Sequence, residues 1–238
     1  MQLSKRLQAI ADFVTPGNRV ADVGCDHAYV SIYLAGEKLS PKIIAMDINQ
    51  GPVDRAKENA LKYGYASVIE VRKSDGLMKL EPGEVDTIVL AGMGGALMLQ
   101  ILRARPKVVS MAEELVLQPQ SELHLVREAL MDIGFLITAE KMLKEDGKYY
   151  VCMKVTAARV LPDPKPYELT AREHFYFGRL LLAQKNPVLR EYLIHEMRQC
   201  ESIREILLAN PTEQSLQRQR ELMDELELIQ KSLHYYEE

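Results

Sequence analysis

Three aspartates, Asp22, Asp47 and Asp75, each stand at or shortly after the end of a short apolar run. Carboxylates so placed can accept hydrogen bonds from a ligand lying across the ends of several strands. The first belongs to Asp22-Val-Gly24-Cys-Asp26-His27-Ala28, which follows a strand pattern and opens a helix pattern. Gly24 lets the backbone turn tightly and approach a ligand with no Cβ in the way. Asp47 comes 25 residues later, with Ile48 beside it. It can accept both hydroxyls of a ribose, and its plainer reading is an N-cap for the following helix. Asp75, in Ser74-Asp75-Gly76, can accept a hydrogen bond from an adenine amino group while Gly76 keeps the rim open; a simple turn is the alternative. The fourth string, Ala91-Gly92-Met93-Gly94-Gly95, strips side chains from the start of a helix. It allows either close approach by a flat substrate or tight packing of strand on helix.

The elements that must carry these residues alternate along residues 1–160. Strands are predicted at Arg19–Val23, Lys42–Ile48, Val68–Arg72, Val85–Leu90 and Glu114–Gln118. Helices are predicted at Ala28–Ala35, Gly51–Tyr63, Gly95–Arg103 and Ser121–Met131, the last with Ser121 as N-cap. Phe135–Met142 and Tyr149–Thr156 flank the turn sequence Lys144–Lys148 and predict an antiparallel hairpin. The expected fold is α/β, a Rossmann-like and mainly parallel sheet ending in that hairpin. Three prolines in Leu161–Pro166 mark a linker, giving domains at 1–160 and 161–238. Beyond it, Leu189, Leu193, Cys200, Ile203 and Leu207, then Leu222, Leu226, Ile229 and Leu233, form apolar seams on two helices. A break at Asn210–Pro211, with Thr212 as a cap, predicts an antiparallel coiled-coil hairpin.

An NAD-type loop needs bare glycines against a pyrophosphate. Asp26 would repel that anion but suits the cationic sulfonium and amino group of S-adenosyl-L-methionine (SAM). Composition bounds the rest. The chain has 238 residues, 47% of them hydrophobic and 27% charged, with a net charge of −4. Residues 1–160 carry 20 basic and 20 acidic side chains, so the acidic excess lies in the tail. A neutral domain can still present a basic face, and nucleic acid is not excluded. Three scattered cysteines suggest a reducing compartment and give no metal-binding pattern. With no secretion-type or membrane-length apolar run, a cytoplasmic protein with no metal and no membrane partner is expected.

The strings VADVGCDHAYVSIYL, IAMDIN, KSDGL, VLAGMGG and LVLQPQ, in this order and spacing, resemble the bacterial tRNA (adenine-22-N1)-methyltransferase family, closely over about residues 1–160. The resemblance implies a class I methyltransferase that moves the SAM methyl group to N1 of adenosine 22 in tRNA. It implies that Asp22, Gly24, Asp26 and His27 shape the methionine end of the SAM site. Asp47 would take the ribose and Asp75 with Gly76 the adenine; Ile48, Gly92 and Met93 would also border SAM, and Gly92 and Met93 the target base as well. Gly94 and Gly95 would lie against the target base, with Tyr29 or Met93 stacking on it. Asp26, held by His27, is the expected catalytic pair, stabilising the charge of the methylated base. Arg103, Arg105 and Lys107 are expected to contact tRNA phosphates, with Lys5, Arg6, Lys141, Lys144 and Lys148 as further candidates. The tail is expected to clamp tRNA, with homo-oligomerisation through the coiled coil as its other role. A methyltransferase acting on another RNA, a protein or a small molecule, and a non-catalytic RNA-binding protein on a relic SAM fold, are the alternative readings.

Overall fold

Every apolar run read as a strand enters one seven-stranded sheet in the computed structural model, which describes residues 1–209 and 213–237. The strands are β1 (Val20–Val23), β2 (Ile43–Asp47), β3 (Ile69–Lys73), β4 (Thr87–Met93), β5 (Glu114–Pro119), β6 (Phe135–Glu145) and β7 (Lys148–Ala157), in the order β3-β2-β1-β4-β5-β7-β6. The first five pair in parallel, and β7 is antiparallel to both β5 and β6. β1, β2 and β5 are buried along their whole length, as strands covered on both faces must be. The chain runs outward from β1 to β2 and β3, then returns to β4 on β1's other side. Loops leaving β1 and β4 therefore diverge and open a crevice at the carboxyl ends of the strands.

The helices of this part are α1 (Lys5–Phe13), α2 (Tyr29–Gly36), α3 (Gln50–Lys62), α4 (Gly95–Ala104), α5 (Pro106–Met111) and α6 (Leu123–Asp132). Ser4 caps α1, its Oγ accepting from Leu7 N at 3.3 Å. Glu145, at the far end of β6, accepts the backbone N–H groups of Lys5 (2.7 Å) and Arg6 (3.4 Å) and so fixes where α1 begins. Inside, Arg127 of α6 donates through Nε and Nη2 to Glu140 Oε1 of β6 at 3.2 and 2.9 Å, with both side chains almost fully buried.

Two local expectations are corrected. β4 does not stop at Leu90. It continues to Met93 across a register shift between Ala91 and Met93, where Gly92 takes φ +77°. A bulge of this kind needs a residue at ease in the left-handed region, and glycine supplies it. Ser121 does not cap the next helix, which starts at Leu123 behind Glu122 in a left-handed conformation. Its Oγ instead accepts from Gly95 N at 3.3 Å, while Glu122 Oε2 accepts from Ala96 N at 2.9 Å. The pair thus satisfies the first donors of α4, a neighbouring helix. Of the two readings left open at Gly95, the contacts support close packing. A Cβ there would meet the Ser121 carbonyl at 2.5 Å and Val126 Cγ2 at 3.0 Å.

The chain divides into two compact units, Met1–Glu168 and Leu169–Glu238. Leu161–Pro166 lies in the first, between short 3-10 turns at Ala158–Val160 and Lys165–Tyr167. The second unit starts with a π-helical turn at His174–Gly178, then α7 (Arg179–Ala183), α8 (Pro187–Ala209) and α9 (Glu213–Leu233). Contacts between Cys200 and Glu225, Leu207 and Gln219, and Asn186 and Tyr236 run in opposite directions along the chain, so α8 and α9 are antiparallel. Leu189, Leu193, Cys200, Leu222, Leu226 and Ile229 are buried in the seam. Ile203 is corrected, being 41% exposed; Leu228 takes a buried place instead. The break at Asn210–Pro211 and the Thr212 cap lie outside the described residues. No described helix is long and apolar enough to cross a membrane.

Candidate active site

The loop after β1 rises into a cleft of about 220 Å³ lined by Arg6, Leu7, Asp22, Gly24, Cys25, Asp26, His27, Tyr29, Val30, Ala91 and Gly92. Asp22 forms its floor. It is 6% exposed, and Ser31 Oγ donates to its Oδ2 at 2.6 Å. Burial pushes the Asp22 carboxyl up to about 6, against the opposing pull of the Ser31 hydrogen bonds. Gly24 turns at φ +74°, and a Cβ there would meet Met93 Cε at 3.2 Å, so Met93 reaches the β1 loop from β4. Asp26 takes φ +47°, and its carboxylate, largely exposed, pairs with Arg55 Nη2 of α3 at 3.1 Å and His27 Nε2 at 3.6 Å. The His27 ring stacks on Tyr29, centroids 5.3 Å apart and planes 10° apart. Asn59 Nδ2 donates to the His27 carbonyl at 3.0 Å and steadies the loop.

Asp47 ends β2 beside this loop. Its Oδ2 accepts from Asp26 N at 3.4 Å and its Oδ1 from Asn49 N at 2.9 Å. Ile48 next to it is 53% exposed, an apolar surface in the open. Ser74 N donates to the Asp47 carbonyl at 2.9 Å and ties the loop after β3 to β2. Asp75 in that loop is exposed, and Gly76 at φ +51° leaves room for Ile101, whose side chain a Cβ would meet at 3.0 Å. Among the described residues no group of His, Cys, Asp and Glu could hold a metal ion.

The cleft thus gathers Asp22, Gly24, Asp26, His27, Tyr29 and Gly92. Asp47, Ile48, Asp75 and Gly76 occupy the adjoining strand ends. The basic group Arg103, Arg105 and Lys107, where α4 gives way to α5, is divided between different surroundings. Arg103 and Lys107 are exposed, but Arg105 donates to the carbonyls of Met78 (2.7 Å) and Leu80 (2.9 Å) and clamps the loop after β3. Gly94 faces Ser121 Oγ, 3.2 Å from where its Cβ would be. A larger cavity of about 420 Å³ lies within the helical unit, among Tyr176, Phe177, Tyr192, Cys200 and several carboxylates. It lacks strand ends and glycine turns, so the chemistry is assigned to the smaller cleft.

Residues 3–153 match the family described as Methyltransferase domain. Along the full length, the chain is 35% identical to the tRNA (adenine(22)-N(1))-methyltransferase of Bacillus subtilis (strain 168), an alignment covering 99% of this chain and 98% of that one. The chain belongs to the tRNA (adenine(22)-N(1))-methyltransferase family. The crystal structure of the B. subtilis m1A22 tRNA methyltransferase superposes with a TM-score of 0.86 at 35% identity, covering 98% of this chain and 99% of that one. A Streptococcus pneumoniae relative in complex with S-adenosyl-L-methionine superposes with a TM-score of 0.85 at 31% identity, covering 98% and 100%. The seven-stranded sheet with its antiparallel hairpin and C-terminal helices is therefore this family's Rossmann-like architecture.

Two cleft features of this family member escaped the sequence. Arg6 stood only among candidates for phosphate contact, yet its side chain lines the cleft. Gln118, fully buried, joins Arg6 to Gly92: its Oε1 accepts from Arg6 Nη1 and from Gly92 N, both at 3.1 Å. The sole sequence signal was a polar residue closing the strand Glu114–Gln118, whose three middle residues are apolar.

The raised Asp22 carboxyl has a consequence for stability. Its folded value lies above its ordinary 3.8, so the contribution of Asp22 to stability falls as pH climbs from about 4 to about 6 and is level above that. Asp22→Asn removes this dependence and is expected to stabilise the protein at pH 7.5 by roughly 1–3 kcal/mol. Urea melts of both proteins at pH 4.5 and 7.5 check it. A gap that does not widen with pH would rule the effect out.

Proposed function

We propose that this chain transfers the methyl group of S-adenosyl-L-methionine to N1 of adenosine 22 in tRNA, giving 1-methyladenosine. The observation that carries the reading is the acid-floored cleft at the β1/β4 switch point, in a chain similar from end to end to an enzyme of that name. The residues fit the donor. Asp22 and Asp26 suit its cationic end, and Gly24 leaves bare backbone beside them. Asp47 has lone pairs left for two ribose hydroxyls after accepting two backbone N–H groups. Exposed Ile48 and Asp75 would take the faces and the amino edge of the adenine. When bound, SAM supplies an electrophilic methyl group on a positive sulfur.

The acceptor nitrogen has an in-plane lone pair, so the protein needs no strong base. Its task is to orient the base and to balance the charge that the base acquires. Asp26, with His27 and Arg55 at its sides, supplies negative charge at the mouth of the cleft, and the stacked His27–Tyr29 pair gives an aromatic surface there. The target base must leave the folded tRNA, at a cost of a few kcal/mol. Exposed Arg103 and Lys107 and the helical unit are the surfaces assigned to holding the RNA. A cytoplasmic site of action follows from that substrate.

Mass spectrometry of nucleosides from unmodified tRNA incubated with the protein and SAM tests the reading. One 1-methyladenosine at position 22 is the expected product; SAM binding with no methyl in tRNA would sink it. In the same assay Asp26→Asn is expected to lower turnover on the order of 10-fold. That is less than the ~10²-fold of an enclosed electrostatic group, because the carboxylate is exposed. Equal losses in turnover and SAM affinity would make Asp26 a cofactor ligand only.

A further inference from the structure

We propose that the cavity of about 420 Å³ in the helical unit binds a linear polyamine, a flexible methylene chain carrying two or more ammonium groups. The proposal stands apart from the reading of the cleft, because every residue lining the cavity belongs to the second unit. Helical spacing builds its walls. Tyr192, Glu196 and Cys200 recur every four residues and share one face of α8. Asp224, Glu225, Leu228 and Ile229 follow the same rule on α9, and the π-helical turn adds Tyr176 and Phe177. Cys200 Sγ donates to Glu225 Oε2 at 3.6 Å and ties the two long helices together.

Glu196 is out of place in a helix pair that has only itself to satisfy. It falls on the seam of α8 between the buried Leu193 and Cys200, where an apolar side chain would pack. Burial pushes its carboxyl up, and Glu225 adds to this against the opposing pull of His195. No Lys or Arg pairs with Glu196 or Asp224 among the described residues. Arg218 serves Glu221 and Glu225 instead, at 3.0 Å each. The lining carries four carboxylates against one guanidinium, that of Arg172. Arg172 Cζ lies 5.5 Å from the centre of the Tyr176 ring, so an aromatic face of this cavity already holds a cation.

The chemistry of the walls selects among cations. A hard metal ion needs several oxygens converging on one point, and among the described residues no group of three His, Cys, Asp or Glu could hold one. A compact quaternary ammonium brings a single charge and would leave one of the two unpaired acids unmatched. A linear polyamine sets ammonium groups on separate carboxylates and lays its methylenes on Phe177, Leu228 and Ile229 between them.

Calorimetric titration of the purified full-length protein with spermidine, at physiological ionic strength, tests the assignment. One site is expected, with a Kd below about 1 mM that magnesium chloride at matched ionic strength shifts less than about twofold. Glu196→Gln keeps the shape without the charge and should weaken spermidine about 10-fold. Arg172→Ala removes the competing cation and should tighten it by about 2- to 5-fold, a gain that a damaged fold does not produce. Binding that magnesium abolishes, or that both variants leave unchanged, would mean counter-ions gathered on an acidic surface and overturn the proposal. Tetramethylammonium binding as tightly as spermidine would overturn it by making the cavity a cage for one charge. A tetralysine peptide binding more than about 10-fold tighter would reassign the surface to a basic protein segment. No binding of spermidine, checked by equilibrium dialysis, would leave the cavity without this ligand.

Discussion

Asp47→Ala is expected to lower SAM affinity by about 10²- to 10⁴-fold and to take 1-methyladenosine formation with it. Two hydrogen bonds from ribose hydroxyls to an ionised carboxylate contribute about 1.5–3 kcal/mol each, and every 1.4 kcal/mol is a factor of ten. The same carboxylate accepts from Asp26 N and Asn49 N, so its removal also loosens the loop that carries Asp26 and His27. Asp47→Asn separates the two effects. It keeps an oxygen to accept a backbone N–H but loses the charge, and should retain part of the affinity. Calorimetry with SAM measures both variants. An alanine variant that still binds within fivefold of wild type would move the ribose away from β2.

Arg127→Met should cost about 3–5 kcal/mol of folding stability. Arg127 and Glu140 are 0% and 1% exposed at their side chains, so removing the guanidinium strands a carboxylate where no water can reach it. Against a total stability of about 5–15 kcal/mol for a protein of this kind, that is a large fraction. Replacing both partners by apolar side chains of similar volume should restore most of the loss, because the desolvation of both charges disappears with them. Urea denaturation of the single and double variants checks this. A single variant within 1 kcal/mol of wild type would mean that the Arg127–Glu140 pair is not needed to hold α6 on β6.

The strands were legible because each is an apolar run closed by a turn sequence, and their carboxyl ends carried the aspartates and glycines into one crevice. What stayed hidden depended on partners far away in sequence. Nothing near Ser121 shows that its hydroxyl serves Gly95, 26 residues earlier. Arg6 and Gln118 are 112 residues apart, and no local spacing signals their meeting. The extent of β4 was misread because Gly92 looks like a strand terminus, whereas here it makes a bulge after which pairing resumes at Met93 with Pro119. α5 has only six residues, too few to show a period, and its Pro106 reads as a break although it is the first helical residue. Arg105 sits in a basic run but faces two loop carbonyls, which charge patterning does not reveal.

The tie between Glu145 and the first turn of α1 spans 140 residues, and this sets an order of assembly. On the ribosome α1 is made before every strand of the sheet, yet the side chain that anchors its first turn comes late in the first unit. Closing so long a loop is slow and has to await the β6–β7 hairpin. Until then the first turn of α1 lacks this anchor, although Gln118 of β5, made earlier, can already receive the Arg6 side chain. A chain ending before residue 145 lacks this anchor for the first turn of α1.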